Sequence, residues 1–176
     1  MNMLEIEIKA RVENVPEIEQ RIAERGTFIR SYHKQDVYFR VANGPHVRLR
    51  SESDGSGMVT RKYKQIDGGI ETSREDEFSV DNPQLAERLL RDLGAEEWIR
   101  KEKVGNAYSI DGLTVELSEV AGLGSFIEIE WVGSDEITDA AVTARKRVCT
   151  LAAELGIDPG YFESRPYTQL LQEAGL

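Results

Sequence analysis

The sequence holds one cysteine, Cys149, only two histidines, and no apolar run near the roughly 18 residues that span a bilayer. A lone cysteine excludes an intramolecular disulfide and a cysteine-based zinc site within one chain. Cys149 follows Val148 inside a helical pattern and reads as a small core residue. Net positive charge is lacking too: 32 acidic residues outweigh 22 lysines and arginines, a formal −10, which argues against a general nucleic-acid binder. The N-terminus shows no basic segment followed by an apolar one, so no secretory signal is read and a cytoplasmic location is the expectation.

What the chain does have is alternation. Residues 3–12 place Glu5, Glu7, Lys9 and Arg11 on one side and Ile6, Ile8, Ala10 and Val12 on the other, the period of two that marks a strand. A helix is expected over 16–25, extended chain over 27–42, and a turn at Asn43-Gly44-Pro45. Strands are expected at 46–53, 58–66 and 71–80, then a helix over 83–93 with Asn82 as N-cap and Leu85, Ala86, Leu89, Leu90 and Leu93 at helical spacing. Further strands are expected at 96–103, 106–111, 113–120 and 125–132, with Asp111-Gly112 as a hairpin signal. A helix over 135–155 buries Ile137, Ala140, Ala141, Ala144, Val148, Leu151, Ala152 and Leu155, and a short helix closes the chain. Gly122 and Gly124 are read as shaping a turn or bulge. No linker or repeat interrupts residues 1–176, which read as one domain of about eight strands and four helices, α+β.

The charges have a peculiarity. Several strands carry like charges at i, i+2: Glu5 and Glu7, Arg48 and Arg50, Lys62 and Lys64, Lys101 and Lys103, Glu128 and Glu130. Such neighbours share a face and repel, whereas a face built for solubility mixes signs. A closed or nearly closed antiparallel barrel resolves the conflict, with its apolar exterior under the helices and its charged interior lining a tunnel. Basic rows then suit phosphate oxygens, and acidic rows suit Mg²⁺ or Mn²⁺.

These residues carry a family likeness. Glu5-Ile6-Glu7-Ile8-Lys9 resembles the ExExK signature of the CYTH superfamily, the triphosphate tunnel metalloenzymes. Gln35–Phe39, Arg48-Leu49-Arg50, Lys62, Arg74-Glu75, Lys101-Glu102-Lys103 and the run from Gly122 to Glu130 resemble its later segments in order. The ending from Ser164 to Leu171 resembles the close of the class IV adenylyl cyclase branch, with an insertion. Two positions depart: Ser118 stands where the family has a metal-binding aspartate, and Lys103 where arginine is common. Glu116, two residues before Ser118, shares its face.

The resemblance implies a tunnel that binds a triphosphate along Arg48, Arg50, Lys62, Lys64, Arg74, Lys101 and Lys103. Mg²⁺ or Mn²⁺ would be held by Glu5, Glu7, Glu128 and Glu130, with Glu116 in reserve. Lys9, with Glu5 and Glu7, is the expected catalytic group. The implied reaction is conversion of ATP to cyclic AMP and pyrophosphate. The alternatives are hydrolysis of thiamine triphosphate, tripolyphosphate or a nucleoside triphosphate, and a binding module without turnover. A small-molecule triphosphate is the expected partner, with no nucleic acid or membrane; relatives that pair make a homodimer an expectation too. Asp36 is expected to accept a bond from a tunnel cation, a structural role, or to help orient substrate, and His33 and His46 to lie at the surface or the tunnel mouth. Trp98 and Trp131 are read as packing residues, or as an aromatic at the mouth able to stack a base.

Overall fold

The computed structural model describes residues 3–42, 46–134 and 140–176. Its eight strands are β1 (Met3–Arg11), β2 (Thr27–Arg40), β3 (Val47–Glu52), β4 (Gly57–Asp67), β5 (Ile70–Val80), β6 (Glu96–Ile110), β7 (Leu113–Val120) and β8 (Gly124–Ser134). They close into a barrel in the order β1-β5-β4-β3-β2-β6-β7-β8, every neighbouring pair antiparallel. Of the four α-helices, α1 (Val15–Ala23) follows β1, α2 (Pro83–Asp92) follows β5, and α3 (Ala140–Glu154) and α4 (Tyr167–Glu173) come after β8.

The main core sits outside the barrel wall. Ile6, Ile8, Val115, Ile127 and Ile129 point outward and pack with Ile18 and Ile22 of α1 and Ala144, Val148, Leu151 and Ala152 of α3. Each large side chain buried this way contributes about 1.5–3 kcal/mol, so the helices fix which face of each strand is dry. The opposite face of the strand then turns into the lumen. Val37, Phe39, Leu49 and Val59 form a second cluster with Ala86 and Leu90 of α2. A third cluster lies on the inner side of the wall, where Val120 and Phe126, in phase with Glu116 and Glu128, meet Tyr167 and Leu170 of α4. Asn14 and Asn82 cap α1 and α2 by accepting bonds from the amides of Glu17 and Leu85. Asp111 and Gly112 both have positive φ (50° and 72°), the geometry of the tight hairpin their identities indicated.

Two expectations are corrected. The segments 96–103 and 106–111 are one strand, β6, running through Gly105. A Cβ at Gly105 would lie 2.4 Å from the Leu117 carbonyl oxygen, so the glycine marks close approach of β7 and not a break. Of the five stripe positions expected on α2, only Ala86 and Leu90 pack on the barrel; Leu85, Leu89 and Leu93 are 54%, 56% and 74% exposed. Helix α3 is described from Ala140, so Ile137 and the start expected at 135 lie outside the described residues, as does the Asn43–Pro45 turn.

Candidate functional site

The barrel encloses a cavity of about 560 Å³, of the size that holds small molecules. Its wall is divided by charge. Four contiguous strands, β7-β8-β1-β5, present Glu116, Glu128, Glu130, Glu5, Glu7, Glu71, Glu75 and Glu77. The other four, β4-β3-β2-β6, present Lys62, Lys64, Arg48, Arg50, Lys34, Lys101 and Lys103. Lys9 is the one lining cation on the acidic half among the described residues. The like-charged rows therefore do face inward.

The two halves meet at two seams. Where β5 joins β4, the Lys62 ammonium lies 3.1, 2.9 and 2.7 Å from Glu5, Glu71 and Glu75, and Arg48 lies 3.3 Å from Glu77. Burial alone would lower Lys62, but Glu71, Glu5, Glu7 and Glu75 outweigh it and hold the group well above the ordinary lysine range. Where β6 joins β7, Lys103 contacts Glu116 at 2.7 Å and also Glu128, and Lys34 contacts Glu116 at 2.5 Å. The Tyr32 hydroxyl donates to Glu116 as well. In the middle of the basic half, Asp36 is the balancing carboxylate: Arg50 donates two bonds to it at 2.7 and 2.9 Å, and Lys101 lies 2.9 Å away. Asp36 thus has the structural role expected of it.

The acidic half lacks such a balance at its centre. Glu7 and Glu130 are register partners on β1 and β8, with Glu5 two residues away on the same face. Burial pushes Glu7 up to about 7, with the charge of Glu128 adding to it. Burial pushes Glu130 up to about 9, with Glu5, Glu7 and Glu116 adding. Buried carboxylates crowded together resist ionisation until a cation joins them. An all-oxygen donor set of this kind suits a hard divalent cation. Among the described residues no three such groups converge on one point. The cluster is an open wall, the arrangement suited to Mg²⁺ or Mn²⁺ that keeps water and phosphate oxygens among its ligands.

Lys9 is held at the end of the row. Its ammonium donates to the Arg165 carbonyl at 2.7 Å and lies 4.3 Å from the centre of the Tyr167 ring, which Lys101 also faces at 4.8 Å. Burial lowers its pKa. Ser118 is buried with its hydroxyl unpartnered and lies outside the cavity lining, whereas Glu116 lines it but serves Lys34, Lys103 and Tyr32.

Arg74 is a correction. On β5 the inward residues are 71, 73, 75 and 77, so Arg74 falls on the outer face and is exposed. Its neighbour Glu75 is the one that enters the lumen. The R74A variant is therefore expected to keep its KM for a triphosphate within about twofold, as measured by steady-state kinetics, whereas R50A is expected to raise it at least about tenfold. A charge-assisted bond to phosphate is worth about 1.5–3 kcal/mol.

Sequence reasoning missed Glu71, Ser73, Glu75, Glu77, Lys34 and Thr60. Ser73 donates to Glu5 at 3.0 Å, and Thr60 donates to Glu77 at 2.6 Å. The signal was present on β5, where Glu71, Glu75 and Glu77 share one face with Ser73, but Arg74 and Asp76 between them blur the alternation. His46 lines the cavity, and His33 pairs with Glu102 at the surface. Trp131 packs against the main core as expected, but Trp98 lines the cavity.

The CYTH domain family profile matches residues 3–167. Putative adenylate cyclase MJ0240 of Methanocaldococcus jannaschii is 27% identical over 140 residues, 76% of this chain and 79% of that one. Among solved structures, the PH1819 protein of Pyrococcus horikoshii is 30% identical with a TM-score of 0.80, covering 96% of this chain and 98% of that one. The Hippeastrum protein HpAC1, described as having a dominant triphosphatase activity, shares the fold at 17% identity and a TM-score of 0.66, covering 94% and 91%.

Proposed function

Since the chain belongs to the CYTH domain family, we propose that it is a divalent-metal-dependent enzyme that takes a triphosphate compound into the barrel, with ATP cyclisation as its reaction. The observation that carries the triphosphate reading is the division of the lumen into a basic and an acidic half. A phosphate chain laid along Arg48, Arg50, Lys62, Lys101 and Lys103 meets cations on three strands of the basic half, β3, β4 and β6. Lys62 and Lys103 remain charged for the task, since their carboxylate partners hold them well above the ordinary range against the effect of burial.

Glu5, Glu7 and Glu130 would hold the cation, with Glu128 beside them. Bound there, it supplies charge neutralisation at the attacked phosphorus and a more acidic attacking hydroxyl. The chain's own part is positioning and electrostatics, which is most of what phosphoryl chemistry requires. Arg48 and Arg50 orient the chain, and Lys62 and Lys103 turn from their glutamates to the entering phosphate oxygens. That exchange leaves Glu5 and Glu128 short of positive charge, so triphosphate and divalent cation reinforce each other's binding.

The cyclase reading is supported by the likeness to the M. jannaschii protein and by the Gln35–Phe39 segment and C-terminal close. Hydrolysis is the second reading, because the same fold serves a triphosphatase in Hippeastrum. The two separate on products. ATP, thiamine triphosphate and tripolyphosphate, each with Mg²⁺ or Mn²⁺, are incubated with the protein and all products are resolved. Cyclic AMP with pyrophosphate from ATP supports cyclisation, and orthophosphate from any of the three supports hydrolysis. Tight binding with no product from any combination contradicts an enzyme.

A further inference from the structure

The outer wall of the barrel leaves a groove open beside α2. The helix packs through Ala86 and Leu90 on the outward row Val37, Leu49 and Val59, which crosses β2, β3 and β4. One flank of the helix is tied to β6, where Arg91 and Arg100 each bond both Glu87 and Glu97. At 3.6 residues per turn, Leu85, Leu89 and Leu93 lie on the opposite flank. The strand order turns that flank toward β5. There the outward row continues by one more strand: Phe78 is the register partner of Val59, on the same outer face, and is 60% exposed. The groove therefore has a wall of leucines on α2 and a floor at Phe78. Neighbouring exposed apolar side chains of this size mark an interaction surface.

We propose that this groove is the surface through which two copies of the chain pair. Shape and charge both select a second copy as the occupant. Each copy supplies a ridge, the leucine flank of α2, and a floor, Phe78. A two-fold axis between the helices lays the ridge of each copy against the floor of the other. Such an isologous contact uses the same patch on both subunits and closes at two. The charged residues around the groove are Arg61, Arg74 and Arg88 against Asp76, Asp81 and Asp92, equal in number, in a chain of formal charge −10. Two chains so charged repel over most of their surfaces. A rim of balanced sign is where they meet without that repulsion, with an acid on one copy for each arginine on the other. A basic partner, drawn to the acidic surface elsewhere, has no use for three arginines at the contact. The groove lies on the outer wall, so pairing does not depend on what the lumen binds.

Analytical ultracentrifugation of the full chain tests this. Wild type is expected to sediment at twice the 19.8 kDa chain mass at micromolar concentration. The L89E and F78E variants are each expected to raise the dissociation constant at least about thirtyfold, the loss typical of a residue central to an interface, and to sediment as monomers. Both replaced side chains are exposed, so both variants are expected to keep the wild-type circular dichroism spectrum. The L89A variant removes apolar surface without adding charge, and its weaker pairing is the readout if a charged variant does not fold. The V104E variant places the same charge at a β6 residue that is 52% exposed and outside the groove, and it is expected to remain a dimer. A wild-type protein that stays monomeric through the micromolar range overturns the proposal. So does a dimer that persists in both L89E and F78E, or one that V104E alone dissolves. Assembly beyond two subunits overturns it as well, because an isologous contact closes at two.

Discussion

The E7Q variant is expected to lose metal-dependent turnover by a factor on the order of 10² or more, the loss typical when one preorganised electrostatic group is removed, while its metal-free thermal midpoint holds or rises. The two halves of this expectation have opposite signs for one reason. Glu7 stands beside Glu130 on the neighbouring strand and within the field of Glu128, in a place where burial already resists its charge. Without a cation, a neutral amide of the same shape relieves crowding. With a cation, the amide removes a ligand that carried charge. Differential scanning calorimetry with EDTA and with excess Mn²⁺ reads both effects: wild type gains stability from the metal through mass action, and E7Q gains far less. A metal-free midpoint that falls by many degrees would instead mark Glu7 as a structural residue.

The D36A variant is expected to be destabilised by about 3–5 kcal/mol, the cost of leaving buried charge without its partner. Asp36 is fully buried and receives both Arg50 and Lys101. Burial alone would raise its pKa, but Lys101 and Arg50 outweigh burial and hold it well below the ordinary carboxylate range. The sign of the pH effect follows. A group depressed in the folded state contributes stability above its unfolded pKa and loses it as pH falls through the folded one. Glu75 behaves likewise: burial opposes, but Lys62 and Arg48 bring it down to about 2. Wild-type stability is therefore expected to decline between about pH 4 and pH 2, starting from the ordinary carboxylate values. Urea denaturation at pH 7 measures the loss in D36A, and repeating it down the pH scale should show a shallower acid limb in D36N than in wild type. Stability of D36A within about 1 kcal/mol of wild type would mean that Arg50 and Lys101 find water instead.

Much of this architecture was legible because strand alternation and charge repulsion act locally. Ile6, Ile8 and Ala10 against Glu5, Glu7 and Lys9 determine which face of β1 is dry without reference to any other strand. The like-signed pairs on β3, β4, β6 and β8 then implied a lumen, because only a partner of opposite sign across a cavity makes them tolerable. Other features depend on contacts between strands distant in sequence. That Arg74 faces outward follows from the phase of β5 against β1 and β4, where every residue from Glu71 to Glu77 except Thr72 and Ser73 carries charge. That Trp98 enters the lumen depends on one extra residue in the β2–β6 register, which periodicity does not reveal. The exposed leucines of α2 show the same limit: the helical stripe was readable, but not how much of it the small patch around Leu49 and Val59 could cover.

A crystal of the protein soaked with tripolyphosphate and Mn²⁺, recorded at the manganese absorption edge, tests the central claim most directly. The account predicts phosphate density along Arg48, Arg50, Lys62, Lys101 and Lys103, with an anomalous peak between it and Glu5, Glu7 and Glu130. Phosphate and manganese confined to the outer surface, with the lumen filled by water alone, would contradict it.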